Sequence, residues 1–204
     1  MNVLVIDRST DTQSAALVKD GEIFAKVFPH TDSRSAEWPA LVRDFLAAHG
    51  LGFGDLGKIV VGQGPGSFSG IRAALGFAQG VAAATGCAVT GVPSTLAFTR
   101  AGARLAVVGD ARRERFWVVQ YDGVRVVRDF TLVGKDGLQG VVLEGYSVVT
   151  PDGARIEDIL KTVFAHRYHG SLVPLAVHLA EVVRDFPGVD VPEPLPIYLQ
   201  AAVR

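Results

Sequence analysis

The chain has a single cysteine, a single methionine and a formal net charge of only −1 over 204 residues. One thiol, Cys87, cannot form an internal disulfide, which excludes a disulfide scaffold and fits a reducing compartment. The balanced charge excludes bulk electrostatic recruitment to nucleic acid or to an anionic membrane. The densest cationic stretch, Arg112-Arg113-Glu114-Arg115, is short and interrupted by an acid. Long hydrophobic runs are also missing. Asp7 breaks the first apolar segment with no basic segment before it, so no signal peptide is expected. The helix expected over 71–85 is rich in glycine and interrupted by Gln79, and is not expected to span a bilayer. No linker, low-complexity tract or long charge run separates independent domains. A hydrophobic content of 49% is ample for a core, and the expectation is a cytoplasmic protein.

What is present is concentrated in Gly62-Gln63-Gly64-Pro65-Gly66-Ser67-Phe68-Ser69-Gly70-Ile71-Arg72. It follows the strand-like Ile59-Val60-Val61 and opens an alanine-rich helix. Glycines at a strand-to-helix junction suit a backbone that turns tightly and approaches something closely. Ser67 or Ser69 is suited to cap the helix that follows. A phosphate-gripping Walker loop requires Lys-Ser/Thr after the last glycine, where Ile71-Arg72 stands instead. A Rossmann fingerprint requires G-x-G-x-x-G, but Ser67 follows Gly64 at the third-glycine position. The plain structural reading is a tight turn that seats a helix on a sheet, and local chemistry leaves it standing beside the functional ones.

The chain also repeats itself. Residues 15–28 and 117–130 both read as strand, Asp-Gly turn, strand, a strong hairpin signal. Each is preceded by a short strand ending at an aspartate, Asp7 and Asp110, which points to a duplicated lobe with a boundary near Arg100 to Arg104. Apolar residues at Trp38, Leu41, Val42, Phe45 and Leu46 predict a helix over 35–49, stopped by Gly50. In the second helix Gly76, Gly80 and Ala84 form a row whose simplest partner is the protein's own sheet. Later elements are expected as short strands at Val141 to Leu143 and Ser147 to Val149, helices at Ile156 to Phe164 and Leu175 to Phe186, and an extended proline-rich tail.

No catalytic set emerges. Ser67 and Ser69 flank Phe68, so Gly-Ser-Phe-Ser-Gly is not the G-x-S-x-G elbow. His166 and His169 are three apart but lack a third ligand. Cys87 has no activating base nearby in sequence, and Glu37, Asp44 and Asp55 form no pair.

The glycine loop, with Ala78-Gln79-Gly80 beyond it, resembles the signature of the TsaB (YeaZ) family, the small paralogues of the TsaD/glycoprotease proteins. The resemblance extends to Val3 to Thr10 with Ser14 to Leu17, to Arg34 to Pro39, Gly91 to Leu96, Asp110 to Arg112 and Pro194 to Gln200. It implies an α/β fold of the two-lobed actin/sugar-kinase/Hsp70-like (duplicated ribonuclease H-like) type with a reduced second lobe, divided as 1–102 and 103–204. It implies a non-catalytic subunit for tRNA N6-threonylcarbamoyladenosine synthesis, docking on the TsaD transferase alongside the ATPase TsaE. The same helical face would also support a homodimer. The resemblance places that face at Trp38, Leu41, Phe45, Ile71, Leu75 and Phe77. It makes Gly62, Gly64, Pro65, Gly66, Ser67, Phe68, Gly70 and Arg72 the signature loop, and Asp7 and Asp110 the remnants of a nucleotide site. No cofactor is expected outside a complex, where ATP or ADP could enter, and no metal motif is present. Arg8 stands where the family has a small hydroxyl residue, and Gln200 where it has arginine. The competing readings are a small kinase or ATPase acting through magnesium at Asp7 and Asp110, and a peptidase, which only the old family label suggests.

Overall fold

A computed structural model describes residues 1–28, 37–99 and 104–199. Two compact units are present, one made of residues 1–97 and 174–197, the other containing 98–173. Of the sequence expectations, Arg34 to Ala36, residues 100–103 of the lobe boundary and Gln200 lie outside the described residues.

The first unit begins with β1 (Asn2–Asp7), β2 (Gln13–Lys19) and β3 (Glu22–Phe28). These pair antiparallel in sequence, with Lys19 opposite Glu22 across the Asp20-Gly21 turn. Asp20 and Gly21 both have positive φ, as a tight hairpin of this hand requires. Helix α1 (Trp38–Ala47) leads to β4 (Leu56–Gly62), α2 (Phe68–Thr85) and β5 (Ala88–Val92). β4 pairs parallel with both β1 and β5, giving the sheet order β11-β5-β4-β1-β2-β3, where β11 is Val191–Pro192. One face of β1, Leu4 and Ile6, joins Trp38, Val42, Phe45 and Leu46 of α1 and Ile71, Ala74, Leu75 and Ala78 of α2 in a single core. The opposite face is covered by α5 (Ala176–Asp185), which packs on β1, β2 and β3.

The second unit repeats the plan. β6 (Arg104–Asp110), β7 (Arg115–Asp122) and β8 (Arg125–Gly134) are antiparallel neighbours, and after α3 (Leu138–Val141) comes β9 (Ser147–Thr150) beside β6 in parallel. Helix α4 (Gly153–Phe164) then leads to β10 (Tyr168–Ser171), parallel to β9, in the order β10-β9-β6-β7-β8. Relative to its first strand, each sheet has the hairpin on one side and the two crossover strands on the other. The duplication read from the Asp-Gly turns is therefore a duplication of topology.

Three expectations are corrected. The segment Val141 to Leu143 is the end of α3 and a loop, not a strand, because Leu138 and Val142 turn inward onto the α4 side of the core. The division at 102/103 fails for the C-terminal region, since 174–197 belongs to the first unit. The apolar stripe Ala176, Leu179, Ala180 and Val182 of α5 is buried, and its first amide donates to Ser14 Oγ at 2.9 Å. Finally, the proline-rich tail is extended but anchored: Val191 and Pro192 pair with β5.

Candidate functional site

Two turns meet at the C-terminal ends of β1 and β4. Asp7 ends β1 and is fully buried. Its Oδ1 accepts from the Ser9 amide at 2.9 Å and the Ser9 hydroxyl at 2.7 Å, and its Oδ2 accepts from Ser94 Oγ. Ser94 Oγ in turn accepts the Gly64 amide at 3.0 Å, while the Ser94 amide donates to the Gly64 carbonyl at 2.9 Å. Sequence reading noted the Gly91 to Leu96 segment but not this role for Ser94. A serine after Val92-Pro93 carries no local sign that it will reach a residue 87 positions away.

The glycines of the loop serve this contact. A Cβ at Gly62 would overlap the Asp7 carboxylate, one at Gly66 the Ser9 carbonyl, and one at Gly70 the Arg8 carbonyl. The Ser67 amide donates to the Ser9 carbonyl at 2.6 Å, and Ser67 Oγ caps α2 by accepting from the Gly70 amide at 3.2 Å. Gly64 and Pro65 are buried beneath, joined by a cis peptide bond. The close approach that glycine permits is thus made to the Asp7–Thr10 turn of the same unit. As placed, Asp7 is poorly disposed to position a metal, because it is fully buried and three hydrogen bonds from Ser9 and Ser94 already hold its carboxylate.

Burial pushes the Asp7 carboxyl above its ordinary value, against the pull of the hydrogen bonds from Ser94 and Ser9. A raised native value means that the folded state binds this proton more tightly than the unfolded chain does. The associated stability is complete at low pH and is lost as pH rises through the native value. We therefore expect denaturation midpoints of the wild type, measured against Asp7→Asn from pH 4 to 8, to fall as pH rises and then level off. A pH-independent difference would contradict it.

Arg8 does not project its bulk into the turn. Its side chain is buried with its guanidinium carbon 4.8 Å from the centre of the Trp38 ring, and burial lowers its pKa. Asp110, the counterpart of Asp7, is held differently. Its Oδ1 accepts the Arg112 amide at 2.7 Å, its Oδ2 pairs with Arg155 Nε at 2.8 Å, and its own amide donates to Asp152 Oδ2 at 2.8 Å. Asp152 also pairs with Arg155. Burial raises the Asp152 carboxyl, opposed by the Asp110 amide and by Arg155. This end of β6 is an ion-pair network, and Asp110 fits a cation no better than Asp7 does.

The helices locate the surface. Trp38, Phe45, Ile71 and Leu75 are buried in the first unit's own core, and Leu41 and Phe77 pack partly buried against it. Trp38 stacks edge-on against Phe28 and Phe77. Four of the six residues expected at a partner face therefore point inward, and Leu41 and Phe77 are half-buried beside them. Apolar periodicity on a single helix reports the core before it reports any second surface. The glycine row is corrected in the opposite sense: among the described residues a Cβ at Gly76 or Gly80 meets nothing within 4 Å, so the row faces away from the protein's own sheet. The outward face of α2 consists of Phe68, which is 50% exposed, with Arg72, Gly76, Gln79, Gly80 and Ala83. Arg72 lies over the Phe68 ring at 5.0 Å.

Among the described residues, no group of three or more His, Cys, Asp or Glu could hold a metal ion. His166 and His169 do not share a helix, since one lies in the turn after α4 and the other in β10. Cys87 is half-buried against the first core. No helix among the described residues is long and apolar enough to cross a membrane.

Two β-β-β-α-β-α-β units, each with its first strand ending at an aspartate turn, define a protein of the two-lobed actin-like class. The model of the family described as TsaD: tRNA N6-adenosine threonylcarbamoyltransferase matches residues 27–161, and the chain belongs to this family, on its TsaB (YeaZ) branch. It is 31% identical over 127 residues to the Escherichia coli tRNA threonylcarbamoyladenosine biosynthesis protein TsaB, covering 59% of this chain and 55% of that protein. The match thus spans little more than half the length of that curated relative. YeaZ from Pseudomonas aeruginosa superposes with a TM-score of 0.77 at 23% identity, over 97% of this chain and 99% of that one. The ethanolamine utilization protein EutJ from Carboxydothermus hydrogenoformans has the same fold at lower similarity, with a TM-score of 0.51, 10% identity and 87% of each chain covered.

Proposed function

We propose that this chain is a non-catalytic subunit in the synthesis of N6-threonylcarbamoyladenosine in tRNA, docking on the TsaD transferase in a complex that also contains the ATPase TsaE. The observation that carries this reading is the outward face of α2. Gly76 and Gly80 lie in the middle of an 18-residue helix with open space around them. Each costs the free helix about 1 kcal/mol relative to alanine with no packing gain from the described residues of the protomer. A helix face of small residues flanked by an exposed aromatic, Phe68, allows a second helix to approach closely. Support also comes from the Escherichia coli relative, a tRNA threonylcarbamoyladenosine biosynthesis protein, and from the full burial of Asp7, whose carboxylate serves to join the turns through three hydrogen bonds. ATP or ADP is expected only within the complex, and a homodimer through the same face is the expected state in the absence of TsaD.

The test is association with TsaD from the same genome, measured by size exclusion with light scattering. Gly80→Glu is expected to weaken a 1:1 complex by at least tenfold, or about 1.4 kcal/mol, while the isolated chain keeps its fold and melts no lower than the wild type, since glutamate is the better helix former. Leu75→Glu serves as the contrast and is expected to lose the fold itself, because Leu75 is buried. A complex of wild-type strength with Gly80→Glu would remove this face from the reading. Failure of the wild type to associate would remove the partner.

A further inference from the structure

We propose that a groove confined to the second unit binds a phosphate group carried on a small organic ester. The groove encloses about 730 Å³ between the loop after α3 and the turn that joins α4 to β10, a volume within the roughly 300–1,000 Å³ of small-molecule sites. Its floor is apolar: Val142 and Tyr146 are both buried members of the second core. Its rim carries His166, Arg167 and His169 on one side and Glu144 on the other.

Three observations give this rim its chemistry. The Arg167 guanidinium is held in place, with Nη1 donating to the Leu143 carbonyl at 3.1 Å and its carbon 5.3 Å from the Phe164 ring centre. Those contacts use one donor and one face, and among the described residues no carboxylate lies within ion-pair distance of it. The His166 and His169 rings likewise have no hydrogen-bond partner among the described residues. Finally, Ala165 has φ +44° and ψ −118° at the end of α4, a left-handed conformation for a residue with a side chain. Such a backbone costs on the order of 1–3 kcal/mol and persists where the surroundings impose it. Here it reverses the chain immediately before His166 and brings His166 and Arg167 to the groove. A preorganised guanidinium with two flanking imidazoles is a donor set for a tetrahedral oxyanion, and the apolar floor suits the ester's organic part. This inference does not depend on the partner reading of α2.

The experiment is titration of the full chain with phenyl phosphate and, separately, with inorganic phosphate, followed by amide chemical shifts and calorimetry. The expected result is saturable 1:1 binding with shifts confined to residues 139–147 and 164–169. Affinity is expected to fall at least tenfold in Arg167→Gln, to be partly retained in Arg167→Lys, and to rise several-fold in Glu144→Gln, which removes the opposing charge. A tighter fit for phenyl phosphate assigns an organic ester, and equal affinities assign free phosphate as the source of the same group. If Arg167→Gln does not fold, Glu144→Gln and His169→Gln, both on exposed positions, carry the test with opposite expected signs. Absence of saturable binding, or binding indifferent to these substitutions, overturns the proposal.

Discussion

Gly70→Ala is expected to destabilise the protein by about 3 kcal/mol, the upper range for overpacking a site that cannot relax. For a chain of this length that corresponds to a fall in thermal midpoint of roughly 6–12 °C. The added methyl would enter the space of the Arg8 carbonyl, a backbone atom in a turn whose neighbours are committed. Arg8 is flanked by Asp7, with both carboxylate oxygens hydrogen-bonded, and by Ser9, whose carbonyl accepts the Ser67 amide. Neither turn can retreat without breaking several buried hydrogen bonds. Gly76→Ala, only six residues along the same helix, is expected to do the reverse and stabilise by about 0.5–1 kcal/mol, the ordinary helix-propensity gain, because nothing lies within 4 Å of its Cβ. Parallel thermal and denaturant melts of the two variants check both signs. If Gly70→Ala melted with the wild type, the glycine loop would not be packed on the β1 turn as described.

The second large effect concerns the C-terminal strap. Lys58 of β4 pairs with Asp190 at 2.6 Å, with side chains 20% and 7% exposed. Lys58→Ala strands a nearly buried carboxylate. Removing one partner of a buried pair costs about 3–5 kcal/mol, and the remaining access to water around Lys58 brings the expectation to about 2 kcal/mol. Burial pushes the Asp190 carboxyl up, but the Lys58 hydrogen bond and charge, together with the Thr90 side chain and the local backbone, outweigh it and hold the carboxyl below its ordinary value. With a lowered native value, the stability is present above the unfolded carboxylate range and is lost as pH falls through the native value. The Lys58→Ala difference should therefore shrink below about pH 4, the ordinary carboxylate range. The strap also reaches the signature loop: Gln63 Nε2 donates to the Leu195 carbonyl at 2.8 Å, and the Ile197 amide donates to the Gln63 carbonyl at 2.9 Å. Lys58→Ala is accordingly expected to speed hydrogen exchange at Val191 and Ile197 ahead of global unfolding. Protection unchanged at those amides would show that the ion pair does not hold the strap.

Much of this molecule was legible from local chemistry. The Asp-Gly pairs marked both hairpins: Asp20-Gly21 takes consecutive positive φ, while the second hairpin turns at Gly123-Val124, with Asp122 opposite Arg125 and Gly123 at positive φ. Ser67 capped α2 as its position suggested, and α4 and α5 lie within a few residues of their periodicity. The misreadings share one cause. The resemblance places Trp38, Phe45, Ile71 and Leu75 at a partner face and the simplest reading sets Gly76 and Gly80 on the sheet, whereas the four large residues are buried in the core and the two glycines are open. A helix's sequence defines its two faces, but not which of them meets the protomer's own sheet. His166 and His169 were set aside for want of a third ligand, and only the left-handed Ala165 brings them to one groove with Arg167.

By itself the sequence determined the elements, the duplicated order in which they occur, and the need for a close approach at residues 62–70. Each of these depends on contacts within a few positions of the chain. Tertiary structure alone decided what makes that approach, namely the Asp7–Thr10 turn locked by Ser94. It also decided that 174–197 returns to the first unit to cover its sheet and clamp Gln63, and that the glycine row of α2 faces outward. These outcomes rest on hydrogen bonds and ion pairs joining residues up to 162 positions apart, and on which apolar stripe finds the larger surface to bury. Neither is encoded in any one segment.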